Sequence, residues 1–327
     1  MRRMASYFRT TLITLVFAAA VLFASADAPA TGENGIRVLS WNISSNAFGR
    51  QPEDFQALLR WADADVLLLD EVRPVADVGK LQEVLADVQS ARGSGWYIDY
   101  GISGGRQRGV IASRAPLESL PEFSMIIPYP DDAKATILEA MSARERANSD
   151  LSMDFGIPVN GAVILAGKRR LLAVIADLQC CGDNRASWQE YRRRVESREI
   201  RRVISEVLNR TEVDAVILAG DFNLVNSPFP LALLAGPYPH PHPGLIPAEI
   251  YHLDGSTAWT WDGRGTPFPS GTLDYQLYEP HSLHVRKGVI LDTEDLAPTE
   301  LERYGLEAEA SRRLSHHRPL LVEYGWY

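Results

Sequence analysis

The stretch Ala215-Val216-Ile217-Leu218-Ala219-Gly220-Asp221-Phe222-Asn223 decides the fold. Five apolar residues in a row read as a strand covered on both faces. Gly220 then lets the backbone turn, and an acid and a carboxamide follow two residues apart. Open α/β sheets build their sites at the carboxyl ends of strands. Hard oxygen donors there suit a divalent cation such as Mg²⁺, with Asp221 as a ligand and Asn223 placed to hydrogen-bond a phosphate or polarise a water. Alone, the stretch reads equally well as a buried strand closed by a polar turn, since Asp and Asn are ordinary turn residues.

Outward from this strand the same pattern recurs. Residues 36–43 alternate and are rich in β-formers, giving a first strand that ends at Asn42. Residues 65–72 form a buried strand closed by Asp70 and Glu71. Residues 96–100 and 109–113 read as a strand pair, with Arg106 and Arg108 in the Gly-rich turn between them. Further strands are expected at 162–165, 171–178, 272–278 and 319–324, with Asp177 and Asp274 at strand ends. Helical spacing marks 52–62, 78–88 and a long charged segment at 188–208, whose arginines read mostly as a solvated face. Residues 128–155 differ in character. Their Ala-, Glu- and Arg-rich part, 131–148, is expected to be a helical insertion placed to cover a cleft. Residues 237–247, rich in proline and carrying His240 and His242, read as an irregular loop. Strands alternating with helices, followed by strand pairs, predict an α/β (α+β) four-layer sandwich: two mixed β-sheets packed face to face with helices outside.

The chain has 327 residues and a formal net charge of −9, which argues against affinity for nucleic acid through net charge alone. Residues 1–28 read as a secretory signal peptide. Arg2 and Arg3 precede the apolar run Leu12–Phe23, and Ala24-Ser25-Ala26 and Ala26-Asp27-Ala28 both fit a small-x-small cleavage site. The run is shorter than the roughly 18 residues of a spanning helix, which leaves an uncleaved anchor as the lesser alternative. An exported protein, periplasmic or extracellular, is expected, with 29–327 as one domain. Cys180 and Cys181 are the only cysteines. Buried thiols are the expectation, with a strained vicinal bridge or a bridge to another chain as alternatives. No second cysteine pair exists to complete a zinc site.

Five segments together resemble the endonuclease/exonuclease/phosphatase superfamily, the deoxyribonuclease-like fold. They are Leu39-Ser40-Trp41-Asn42-Ile43, residues 65–72, residues 109–116, Gly220-Asp221-Phe222-Asn223 and Ser315-His316-His317-Arg318-Pro319. The resemblance runs from Arg37 to Tyr324. It implies that Asn42 and Glu71 hold a catalytic Mg²⁺, or Mn²⁺, with Asp221 and His316 as further candidate ligands. It implies that Asp221 prepares the attacking water, Asn223 steadies the phosphate and His317 stabilises the charge developing on it. Asp274 then fixes the tautomer of His317.

Two positions depart from the family pattern. His316 stands where an acid is usual, and Asp177 stands where many members carry a histidine. Asp177 can bind metal, or take a proton if its pKa is raised. Arg106, Arg108 and Arg185 fall in loops beside the motif strands as candidate phosphate forks. The expected function is metal-dependent hydrolysis of a phosphodiester, by a monomer without a stable protein partner. The substrate is a nucleic acid, a phospholipid head group or a small phosphodiester. A nuclease proper and a binding module with weakened catalysis are the alternatives.

Overall fold

In the computed structural model, residues 35–44, 46–73, 78–88, 95–146, 153–182, 184–255 and 257–327 are described. The expected signal peptide lies outside them. The first half comprises β1 (Gly35–Asn42), α1 (Ala47–Arg50), α2 (Pro52–Ala62), β2 (Val66–Val72), α3 (Val78–Ala86), β3 (Tyr97–Tyr100), β4 (Arg108–Ser113), β5 (Leu117–Ser119), α4 (Asp131–Ala140) and α5 (Ala143–Arg146). The second half adds β6 (Val159–Ala166), β7 (Arg169–Ala176), α6 (Trp188–Leu208), β8 (Ala215–Asp221), α7 (Phe229–Leu234), β9 (Ile246–Pro247), β10 (Asp274–Tyr278), β11 (Leu283–Ile290), α8 (Pro298–Tyr304), α9 (Ala310–Leu314) and β12 (Leu320–Trp326).

Among the described residues two six-stranded mixed sheets form, in the orders β11-β12-β1-β2-β4-β3 and β5-β6-β7-β8-β10-β9. Strand side chains alternate between faces, and the apolar runs divide accordingly. In β8, Ala215, Ile217 and Ala219 enter the layer between the sheets, while Val216 and Leu218 join the cluster under α6. In β2, Val66 and Leu68 face the other sheet, while Leu67 and Leu69 face the cluster that includes α2 and α3 residues. A strand buried on both faces has no polar side, which is why these stretches read as unbroken apolar runs. The result is the four-layer sandwich expected from the sequence.

The sheet registers bring the polar strand ends together. β1 and β2 run parallel with Asn42 beside Asp70. β7 and β8 run parallel, so Asp177 follows β7 where Asp221 closes β8. β10 runs antiparallel to β8 and sets Asp274 directly opposite Asp221. Gly220 cannot be replaced there. Its φ is 134°, and a Cβ would stand 1.9 Å from the carbonyl oxygen of Ala176.

Several local expectations are corrected. β11, with Arg286, Lys287 and Gly288 in its middle, is a sheet edge whose charged residues hide its β pattern. The insertion is helical at α4 and α5, but α4 packs against α6 through Ala133 and Ile137. Only its tail meets the turn beside the strand ends, where Phe155 O accepts from the Gly104 amide at 2.8 Å. Arg192 and Arg193 are buried instead of solvated, because Glu196 and Glu190 neutralise them one turn away. Cys180 and Cys181 are both exposed thiols. Among the described residues no helix is long and apolar enough to cross a membrane.

Candidate active site

The site grows from irregularities at the strand ends. In β2 the pairing with β4 slips between Leu69 and Val72, and Glu71 takes a φ of 53°. Such a bulge re-aims side chains. Strict alternation would send Asp70 and Glu71 to opposite faces, yet both reach the Asp221 corner. Asp70 Oδ2 accepts the Asp221 amide at 3.0 Å. Glu71 Oε1 accepts from Asn42 Nδ2 at 3.2 Å, and the same Nδ2 reaches Asp221 Oδ2 at 3.2 Å. Asn42 thus bridges two carboxylates. Its Oδ1 accepts the Ser44 amide at 3.0 Å, which leaves that oxygen one further lone pair.

The corner after β8 is self-bracing. Asp221 Oδ1 accepts the Asn223 amide at 3.0 Å, and Asn223, at a φ of 49°, donates Nδ2 to Leu178 O at 2.9 Å. His317 comes in from the loop before β12. Its Nδ1 donates to Asp274 Oδ2 at 2.9 Å, and its Nε2 stands 3.6 Å from Asp221 Oδ2. Asp274 is itself held by Thr260, whose hydroxyl donates to Oδ2 at 2.6 Å. Trp41, from β1, fixes the backbone of that loop by donating Nε1 to His317 O at 2.9 Å. Ser315 adds a second clasp, donating its hydroxyl to Asn42 O at 2.8 Å. Asp177 is buried and accepts from Gln107 Nε2 at 2.9 Å.

Charge is concentrated here with little to balance it. Burial first, then the neighbouring carboxylate of Asp221, raises Asp70 well above the usual carboxylate range. Asp177 is raised for the same reasons, with Asp70 and Glu71 adding to the repulsion. Burial pushes Asp221 up to about 7; His317 and the Asn223 amide oppose the rise, and Asp274 adds to it. Burial alone would strip His317 of its proton, but Asp274 and Asp221 outweigh it and hold the imidazolium up to about 10. The strand ends therefore form an acidic pocket around the His317 imidazolium.

This composition fits a hard divalent cation. Asp70 Oδ1 is buried without a partner among the described residues, and the acids supply oxygen donors. Asp221, Asp274 and His317 offer ligand atoms all within 4.8 Å of one another. Of these, Asp274 is taken by Thr260 and by His317 Nδ1, and the protonated ring offers no lone pair. Asp70 and Glu71 add carboxylate oxygens beside Asp221.

The structure brings together Asn42, Glu71, Asp177, Asp221, Asn223, Asp274 and His317. It does not bring in His316, which is exposed, turns Nδ1 to Asp262 O at 2.9 Å and tilts over Trp261. Its neighbour takes the inward place because Arg318 and Trp41 pin the loop on either side of it. Arg108 stands across from Val72 beside the bulge, with Nε buried and unpartnered among the described residues. Arg106 is exposed in the turn before β4. Arg185 is exposed and lies over the ring of Phe229 at 5.8 Å. Asp70, Gln107, Thr260 and Ser315 were not singled out from sequence. Two consecutive acids at the end of an apolar strand could have flagged Asp70; Gln107 and Thr260 arrive from loops that carry no local signal.

A two-sheet sandwich with carboxylates, carboxamides and a histidine at one edge defines a class of phosphoester-cleaving folds. The chain belongs to the Endonuclease/Exonuclease/phosphatase family, whose sequence profile it matches over residues 39–296. Members of that family are metal-dependent phosphoesterases and nucleases. Solved structures share the fold at low identity. One is an endonuclease/exonuclease/phosphatase from Bacteroides vulgatus, 15% identical, covering 90% of this chain and 99% of that one, TM-score 0.57. D. rerio TDP2 complexed with single strand DNA product is 15% identical, covering 89% of this chain and 98% of that one, TM-score 0.54. The human Nocturnin catalytic domain with bound sulfate anion is 16% identical, covering 90% and 94%, TM-score 0.54. No curated protein matches the chain by sequence.

Proposed function

We propose that the chain is an exported, metal-dependent phosphodiesterase that acts as a monomer. The observation that carries this reading is the buried series Asp274–His317–Asp221, continued through Asn42 to Glu71 where strand ends of the two sheets meet. Glu71 and Asp221, backed by Asp70, would hold Mg²⁺ or Mn²⁺. When bound, that ion supplies positive charge to the carboxylates and to the phosphate oxygens. Asp221, with its pKa near neutrality, accepts the proton of the attacking water. His317 keeps its proton and directs Nε2–H at the phosphate, because Asp274 occupies Nδ1. Asn223 steadies the corner through Leu178 O and contributes its carboxamide to the phosphate by turning away from that carbonyl. Asp177, whose pKa burial and the neighbouring carboxylates raise, is a candidate proton donor to the leaving oxygen, positioned by Gln107. Arg108 and Arg106 flank the entrance as candidate phosphate contacts.

A phosphodiester is favoured over a monoester because, among the described residues, the cation at the centre of the carboxylates is the single imidazolium of His317. Export rests on the signal-like residues 1–28. A nuclease reading is favoured by the DNA product seen in D. rerio TDP2, and is opposed by the net charge of −9. The test is hydrolysis of bis(para-nitrophenyl) phosphate with Mg²⁺ or Mn²⁺, abolished by chelation and by Asp221→Asn. Inactivity across a divalent-metal panel would leave a binding module. Plasmid nicking beside choline-phospholipid hydrolysis separates the nuclease from the small-diester reading.

A further inference from the structure

Just past Asp177 the chain runs Leu178-Gln179-Cys180-Cys181 towards α6. Both cysteines are exposed, and their sulfurs lie 2.9 Å apart. Cys181 sits in the left-handed region at a φ of 68°, a costly conformation for a residue other than glycine. The backbone on either side is clamped. Leu178 donates its amide to Asp221 O at 2.8 Å and accepts from Asn223 Nδ2. Buried Arg193 donates Nη1 to Gln179 O at 2.9 Å and to Cys181 O at 2.6 Å. The cysteine pair is thus bonded, through one residue, to the catalytic corner.

We propose that Cys180 and Cys181 form a reversible two-thiol redox site, and that closing a disulfide between them slows hydrolysis at the adjoining edge. Adjacent Cα atoms stand about 3.8 Å apart, closer than an ordinary disulfide prefers. Such a bridge is strained and easily reduced, which suits a switch and not a structural staple. The Cys181 thiol is drawn down to about 6 by its hydrogen bond with Cys180 and by the charge of Arg193, against the opposing effect of burial. The chemistry balances with a low-molecular-weight disulfide as oxidant. The Cys181 thiolate attacks one sulfur of that disulfide, whose S–S bond breaks and releases one thiolate, which takes up a proton. Cys180 then loses its proton, and its sulfur attacks the sulfur of Cys181, releasing the second thiol. Two protein thiols are oxidised by two electrons, and one disulfide is reduced to two thiols. Ring closure turns the peptide between the cysteines and shifts the Cys181 carbonyl on Arg193. Leu178 carries that shift to Asp221 and Asn223.

The bridge itself is independent of the proposed activity; the slowing rests on the phosphodiesterase reading. The test incubates the reduced full chain with oxidised glutathione, then alkylates and digests it for mass spectrometry. The expected product is a peptide lighter by two hydrogens, with neither cysteine alkylated and full reversal by dithiothreitol. Turnover of bis(para-nitrophenyl) phosphate should fall about tenfold and recover on reduction, in line with the sensitivity of catalysis to small displacements. The Cys180→Ser, Cys181→Ser double variant should not respond. If the reduced chain does not turn the ester over, stabilisation by Mn²⁺ in a melting experiment replaces turnover and should weaken on oxidation. A stable glutathione adduct on one cysteine, two alkylated cysteines after oxidation, or a bridged chain with unchanged turnover and Mn²⁺ response would each overturn the proposal.

Discussion

Two buried groups of carboxylates gather around adjacent residues, Arg318 and His317, and they are built on opposite plans. Around Arg318, Asp292 accepts Nε at 2.7 Å and Asp262 accepts Nη2 at 2.7 Å, while Arg264 grips Asp262 from outside. Burial would raise Asp262, but the hydrogen bonds of Arg264 and the charge of Arg318 more than offset it and hold the acid well below the usual range. Around His317, four buried acids, Asp70, Asp177, Asp221 and Asp274, share a single imidazolium, and three of them are pushed upward. One group is neutralised by the fold and stabilises it. The other leaves negative charge unmatched, and a ligand cation can stabilise it only there.

Breaking the comparison begins at the unmatched group. Asp221→Asn should lower kcat on the diester by about 10²- to 10⁴-fold, the span of a lost general base, while stabilising the metal-free fold at pH 8. Paired kinetics and urea melts check both signs, and a destabilised metal-free variant would contradict the picture. Arg318→Met should do the reverse to stability, costing about 3 to 5 kcal/mol because it strands Asp262 and Asp292; urea titration measures it. Mn²⁺ at a hundred times its dissociation constant should raise the unfolding free energy by about 2.7 kcal/mol in the parent chain and by much less in Glu71→Gln. A further effect is on pH. Asp221 has a folded pKa of about 7 against 3.8, so the folded state holds the extra proton and metal-free stability falls as pH rises through that window. His317, at about 10 against 6.5, has its stabilising proton in place below 6.5 and loses it as pH rises through 10. Melts from pH 4 to 10 should fall throughout.

Strand ends and apolar runs were legible in the sequence because burial on both faces leaves an unbroken apolar signal and because Gly220 has no sterically possible substitute. The edge strand β11 was not, since charge at a sheet edge reads like a loop. Arg192 and Arg193 look like any surface arginine until Glu190 and Glu196 are seen to turn inward with them. Of two adjacent histidines, sequence could not say which faces the site. Arg318 and Trp41 brace the loop backbone, and the Trp41 bond reaches over a separation that no local pattern records.

The indole of Trp41 offers a clock. Its ring is almost wholly buried, stacked on Phe55, and its one N–H is spent on the carbonyl of His317. That hydrogen can trade places with deuterium only when the histidine loop lifts from the first strand. Its exchange rate therefore counts the moments when the strand ends around His317 stand disassembled.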